Sequence, residues 1–328
     1  MWLTVIGSDH RYGRGMENWR AASKVLSHRG LNLMALACLV GSAVALVPYF
    51  ADPRELLGVP LWEKPLKFLI SGALYSATFS WLYSFVDTGK KFAHLMGNLI
   101  VILLVVEIVV IAGLGASGTT SHFNVSTPFH IAIWSVMAAA ITGVWVSTFL
   151  LGATLWNAPR MASELRLAVR WALGLGLAGM GIAFTMTPPQ PQQVLPENWQ
   201  GIAGAHTVGA ADGGPGIPFL GWSSVSGDLR VSHFFGLHAL QVLPLLALVL
   251  SALIVSYAAR VAILQGFAVG YGMLIVITYV QALSGESITN PSTLTLAATA
   301  TMITISLLIG GWTFIRVKKS EAALAPRT

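Results

Sequence analysis

Glu107 interrupts an otherwise apolar run, LIVILLVVEIVVIAG. A charge at the centre of a membrane helix costs on the order of 2.5–3.5 kcal/mol on insertion scales, so an ionisable residue there is a site candidate that needs a cation, an imidazole or a proton. It lies about seven residues, roughly 10 Å at the helical rise, below the end of its run. Upstream, Lys64, Lys67, Ser71, Tyr75 and Thr78 recur at steps of three or four, which stacks them on one helix face. Lys64 reads as a side chain that snorkels to the interface. Lys67 continues the stripe and reads as a ligand-facing cation.

Histidines supply the other candidate ligands. SHFNVSTPFH carries His122, Asn124 and His130, with Pro128 placed for a helix start behind a Thr127 cap. His130 then falls in the first helical turn. GDLRVSHFFGLHALQ carries Asp228, Arg230, His233, His238 and Gln241. His238 and Gln241 share a face, whereas His233 and His238 lie about 140° apart on a helix and are a poor single-helix chelate. Gln281, with Thr278 and Glu286, adds polar groups at the end of the seventh run. His10, His28 and His94 fall at the opposite end and read as ordinary surface residues.

The chain that must position these residues is 55% hydrophobic and only 10% charged, with a mean hydropathy of +0.71. Soluble domains carry roughly 25% charge, so the expectation is an integral membrane protein. Apolar runs of roughly 20 residues, enough to cross the hydrocarbon core, occur near 31–50, 65–86, 92–114, 129–152, 166–188, 233–257, 261–283 and 293–316. Uninterrupted runs of this length fit helices rather than barrel strands. The predicted fold is all-α, a polytopic bundle of about eight transmembrane helices.

Lys and Arg set the orientation. Arg11 to Arg29, Lys90, Lys91, Arg160, Arg166, Arg260, Arg316, Lys318 and Lys319 share one side, which places both termini in the cytoplasm and the bundle in the plasma (inner) membrane. Arg54, Lys64, Lys67 and Arg230 are the exceptions. The organisation expected is a basic segment over 1–30, a helical domain over 31–316 and a tail over 317–328. The extracytoplasmic connection 189–232, between helices five and six, contains Trp199, Phe219, Leu220 and Trp222. That content suits a folded cap over the helix ends rather than a linker.

The net charge of +6 is scattered between apolar runs and does not form a nucleic-acid footprint. The partner implied is the lipid bilayer, with a quinone or lipid-like small molecule as a candidate ligand. The single Cys38 excludes a cysteine zinc site and a disulfide framework. GLGLAG at 174–179 and GLGASG at 113–118 match a dinucleotide pattern, but neither follows a strand. Close helix packing through small residues, as also at Gly266 and Gly270, accounts for them better.

Lys67, Glu107, His122, His130, Arg230, His233, His238, Gln241 and Gln281 all map to one half of the bundle, which implies a polar cavity beneath the long loop. Three chemistries fit. A membrane redox protein would hold haem b between His130 and His238, with Arg230 or Lys67 near the propionates, Gln241 beside His238, and Glu107 carrying a proton. Eight helices with outward-facing histidines are similar in outline to haem A synthases, but the second and eighth runs hold no histidine and membership does not follow. A zinc-dependent intramembrane hydrolase of a lipid or acyl substrate would draw ligands from His122, His130, His233 and His238 with Glu107. A transporter, sensor or assembly factor would bind an anionic solute through Lys67 and Arg230.

Overall fold

The computed structural model describes residues 27–324. Eight long helices follow in order: α1 Arg29–Ala51, α2 Glu63–Tyr83, α3 Lys90–Ala116, α4 Pro128–Leu155, α5 Ser163–Ile182, α6 Leu229–Leu253, α7 Tyr257–Leu283 and α8 Thr293–Leu324. Each packs on the next, and α2 also touches α6. Seven are long and apolar enough to cross a membrane. The exception is α2, where Lys67, Ser71, Tyr75, Ser76, Thr78 and Ser80 dilute the apolar content. Its position accounts for this, because α2 packs against α1, α3 and α6 and buries Tyr75, Ser76 and Ser80.

Local chemistry sets the helix starts. Thr127 accepts from the His130 amide and Pro128 opens α4, as the sequence predicts. Asp228 caps α6 through the Arg230 amide; that cap starts the helix four residues before the apolar run does. Ser256 caps α7 in the same way. At the far end α8 continues through the segment expected to be a tail. Val317 is buried against Ala258 and Val261, and Lys318 pairs with Glu321 one turn on.

The main core joins Leu31, Phe79, Ile100, Leu151, Leu165 and Leu240. Glycine governs the closest crossing. Gly179 of α5 and Gly236 of α6 meet backbone to backbone, so that a Cβ on either would fall well inside contact distance of the other. Gly266 of α7 faces Ser306 and Gly310 of α8 in the same manner. Gly179 and Gly266 are therefore packing glycines, whereas Gly113 and Gly174 face open space.

One expectation fails at the end away from the long loop. His28 is fully buried and caps α1, accepting from the Leu31 amide at Nδ1. Its Nε2 meets the His94 carbonyl at 3.2 Å, and its ring lies against Gly97. Burial lowers its pKa. A histidine that looked superficial by topology is a structural plug, because Ser27 and His28 bond Ser80 of α2 and the His94 carbonyl of α3. His10 lies outside the described residues.

The connection from α5 to α6 is folded. Strands β3 (Thr207–Val208) and β4 (Gly227–Asp228) pair antiparallel; an earlier hairpin joins β1 (Glu55–Leu56) to β2 (Val59–Pro60) between α1 and α2. Ile202 and Val208 of the long connection pack on a small cluster of Phe123, Met186, Leu229 and Ala282. Of the residues that suggested a cap, Trp222 lies 6.2 Å from the rings of Phe234 and Phe235 of α6, whereas Trp199, Phe219 and Leu220 are exposed.

Candidate functional site

The first turn of α2 aims Glu63 and Lys67 at the long loop. Glu63 is buried, and its Oε1 accepts from Lys67 Nζ at 2.7 Å. Lys67 also donates to the Leu220 carbonyl at 3.1 Å. Arg230 grips Asp228 with Nε at 2.9 Å and Nη2 at 2.6 Å, and its Nη2 donates to the Gly221 carbonyl at 2.5 Å. Gly221, at φ +65°, sits beside Glu63, Lys67 and Arg230. Two cations on separate helices thus hold adjacent carbonyls of the loop.

The exceptions to the charge pattern now have a cause. Arg54, Lys67 and Arg230 each pair with a carboxylate two or four residues earlier, namely Asp52, Glu63 and Asp228. Lys64 differs. It does not snorkel; its Nζ points at His122 Nδ1, 3.1 Å away, and it makes no ion pair among the described residues. Lys64, expected at the interface, faces inward to His122, and Lys67, expected to face a ligand, is paired with Glu63. Two adjacent features decide this: Glu63 lies one turn before Lys67, and the α3–α4 loop lies over Lys64.

A lysine ammonium only donates, so His122 Nδ1 accepts. The neutral ring then carries its proton on Nε2. Ser121 Oγ also reaches Nδ1 at 3.0 Å. Phe68, Phe123 and Trp134 surround the imidazole at 5.9, 6.1 and 5.4 Å between ring centroids. Burial, helped by the Lys64 and His206 charges, holds His122 well below the ordinary histidine range. Phe123 adopts φ +62°, an outlier for a bulky residue whose cost is about 1–3 kcal/mol. Its carbonyl accepts from the Ala203 amide at 2.8 Å, and this pairing with the loop fixes the bend that turns His122 inward.

Glu107 lies behind Lys64, within electrostatic reach of it. The carboxyl is 3% exposed, and its Oε1 has no hydrogen-bond partner. From α3's end at Ala116 it stands about 14 Å down the helix. Among the described residues nothing hydrogen-bonds its Oε1, and Lys64 is the charge within its electrostatic reach.

The remaining histidines divide. His233 Nδ1 donates to the Gly179 carbonyl at 2.7 Å, and the ring is within electrostatic reach of His206 and His238. His238 Nδ1 meets Gln241 Oε1 at 3.3 Å, and Gln241 Nε2 donates to Thr78 at 3.2 Å, tying α6 to α2. His130 stays at the rim, its Nδ1 bonded to Thr127 and Ser126. Gln281 bonds Glu286 and Ser287 and serves the α7–α8 turn. The α2 stripe is also spent on packing, since Tyr75 bonds Thr148 of α4 and Thr78 receives Gln241. Among the described residues, no three His, Cys, Asp or Glu side chains converge in a metal-ligating arrangement.

Sequence reasoning missed His206 and Asp212, which sit in the loop and pair at 2.6 Å. Their spacing in AHTVGAAD was the available signal: two titratable residues bracketing a glycine turn.

Many apolar side chains face outward on these helices, including Leu36 and Val47 of α1 and Leu294 and Leu307 of α8, each more than half exposed. Water would not tolerate such a belt, and hydrocarbon does. The chain is a multi-pass integral membrane protein with a polar cluster beneath a folded loop at one end of its bundle. No family model matches the chain, and neither a curated protein nor a solved structure matches it.

Proposed function

We propose that the protein is a membrane redox protein that binds a quinone at the Lys64–His122 site and exchanges protons with it. The observation that carries this reading is Glu107, a buried carboxyl with an unpartnered oxygen within electrostatic reach of Lys64, a cation that makes no ion pair among the described residues. A quinone is flat and lipid-soluble, and its carbonyl oxygens need donors. His122 offers Nε2–H, and Phe68, Phe123 and Trp134 offer aromatic walls. A proton leaving Nε2 for a reduced quinone oxygen is replaced at Nδ1 from Lys64. Glu107 is the acid that restores Lys64.

The competing readings have less support. Anion binding through Lys67 and Arg230 requires free cations, and both are held by carboxylates. A zinc hydrolase requires about three convergent ligands, and none converge among the described residues. Haem b as the electron donor rests on His238, whose Nδ1 is fixed by Gln241 while Nε2 has no hydrogen-bond partner among the described residues, the usual preparation of an axial ligand. His130 is held in the same way, with Nδ1 on Thr127 and Ser126.

Titration of the detergent-purified protein with decylubiquinone and with menadione, followed by tryptophan fluorescence, tests the proposal. Saturable quenching is expected, weakened in Trp134→Phe and lost in His122→Leu. No saturable quenching by either quinone in the wild type would overturn it. An optical spectrum of the same preparation reports haem through its Soret band, and loss of that band in His238→Leu is expected.

A further inference from the structure

The segment AHTVGAAD folds back on itself. Gly209, at φ +87°, supplies a left-handed turn that returns Asp212 to the residues before it. Its Oδ1 accepts from the amides of His206 and Thr207 at 3.1 and 3.0 Å and from the Thr207 hydroxyl at 2.8 Å. The carboxylate is thus fixed by three donors before the imidazole is counted. His206 Nδ1 then meets Oδ2 at 2.6 Å. An ionised carboxylate only accepts, so the Nδ1 proton is committed to it and the neutral ring presents a lone pair at Nε2.

His206 is also well sited. Its side chain is 20% exposed, which gives it access to water on the loop side. Inward, its ring lies 5.0 Å from that of Phe123, whose other imidazole neighbour is His122 at 6.1 Å. The charged and titratable groups within reach of it are Asp212, Arg230, Lys64, His122 and His233.

We propose that His206 shuttles protons between water at the loop surface and the Lys64–His122–Glu107 site, and that Asp212 is its positioning residue. The proposal rests on the quinone reading, whose acceptor it supplies. Nε2 takes a proton from water while Nδ1–H stays on Asp212, as a carboxylate-backed histidine does when it acts first as base and then as acid at one nitrogen. Once His122 has given its Nε2 proton to the ligand and drawn another from Lys64 at Nδ1, its Nε2 carries a lone pair. The His206 imidazolium reloads that nitrogen, the Nδ1 proton passes back through Lys64 to Glu107, and both rings regain their starting tautomers. Burial lowers the pKa of His206, with Arg230 and Lys64 acting in the same sense and Asp212 opposing. The ring is therefore neutral and ready to accept near neutral pH.

The test is proton uptake, followed with an indicator dye, when decylubiquinone bound to the purified protein is reduced at an electrode. His206→Gln should slow uptake about 100-fold with decylubiquinone affinity unchanged, and added imidazole should restore the rate in His206→Ala. Asp212→Asn removes the anion that favours the imidazolium, so the pH midpoint of the rate should fall by about one unit. Uptake at the wild-type rate in His206→Gln, or a slow His206→Ala that imidazole does not rescue, would overturn the shuttle. Should the variants fail to fold, nitrogen NMR of histidine-labelled wild type decides the geometry: a neutral His206 protonated at Nδ1 supports it, and one protonated at Nε2 overturns it. Absence of decylubiquinone binding in the wild type removes the quinone reading and the shuttle's acceptor with it; binding with an Nε2-protonated His206 removes the shuttle alone.

Discussion

Replacing Gly179 with alanine tests the crossing on which the site's α6 side rests. A Cβ there would overlap the backbone of Gly236 and Leu237. No side-chain rotation relieves that clash, so α5 and α6 must separate. Overpacking of this kind costs about 1–3 kcal/mol. Separation also breaks the bond from His233 to the Gly179 carbonyl, a further 0.5–1.5 kcal/mol or so. A total of roughly 2–4 kcal/mol corresponds to a Tm lower by about 5–10 °C for a chain of this size. Gly174, five residues earlier on α5, is the internal control, since a Cβ there meets nothing within 4 Å. Gly174→Ala should leave Tm unchanged or raise it, because alanine gains up to about 1 kcal/mol of helix propensity. Thermal unfolding of both variants in one detergent, followed by tryptophan fluorescence, compares them directly. If Gly179→Ala is as harmless as Gly174→Ala, the close crossing is refuted, and so is the placement of His233 derived from it.

Breaking the pair beneath the loop with Glu63→Gln leaves Lys67 uncompensated and should cost about 3 kcal/mol or more, while Glu63→Gln with Lys67→Met should recover much of that in the same unfolding assay. His122 and His206 both have lowered folded-state pKa values, so the unfolded chain binds more protons below its ordinary value near 6.5. Stability should therefore fall as pH drops below about 6.5, and unfolding midpoints of His122→Gln/His206→Gln between pH 7 and 5 should show a shallower fall. Asp212 acts lower: burial raises its pKa, but bonds from His206 and Thr207 outweigh this and hold it below the usual carboxylate range. Its contribution is present above about pH 4 and is lost on further acidification, a loss that Asp212→Asn should abolish in the same scan. Gly214 is exposed with open space around it, whereas Cys38 is 2% exposed. A membrane-impermeant maleimide applied to intact cells should therefore label Gly214→Cys and not the wild type; labelling only after lysis would reverse the orientation inferred from the charges.

The fold was legible because its signals are local. Seven apolar runs needed only length and composition, and the start of α4 needed only Thr127 and Pro128. Element ends were less legible where a polar residue decides them, as Asp228 does for α6. The site was legible in part. Glu107 announced itself, because an acid in LIVILLVVEIVVIAG has few reasons to exist. His206 and Asp212 did not, because a histidine and an aspartate in a loop are ordinary until a turn closes the distance between them.

By itself the sequence determined that this chain lives in a bilayer as a helical bundle, since hydrocarbon demands long apolar helices whatever their arrangement. It also placed the polar residues at one end, because position along a helix fixes depth. Tertiary structure alone decided which of them meet. Lys67 pairs with Glu63 while Lys64 reaches His122, and His130 stays at the rim while His206 comes in. Such choices depend on how helices rotate about their axes and where loops fold back, which contacts between distant segments settle and local pattern does not record.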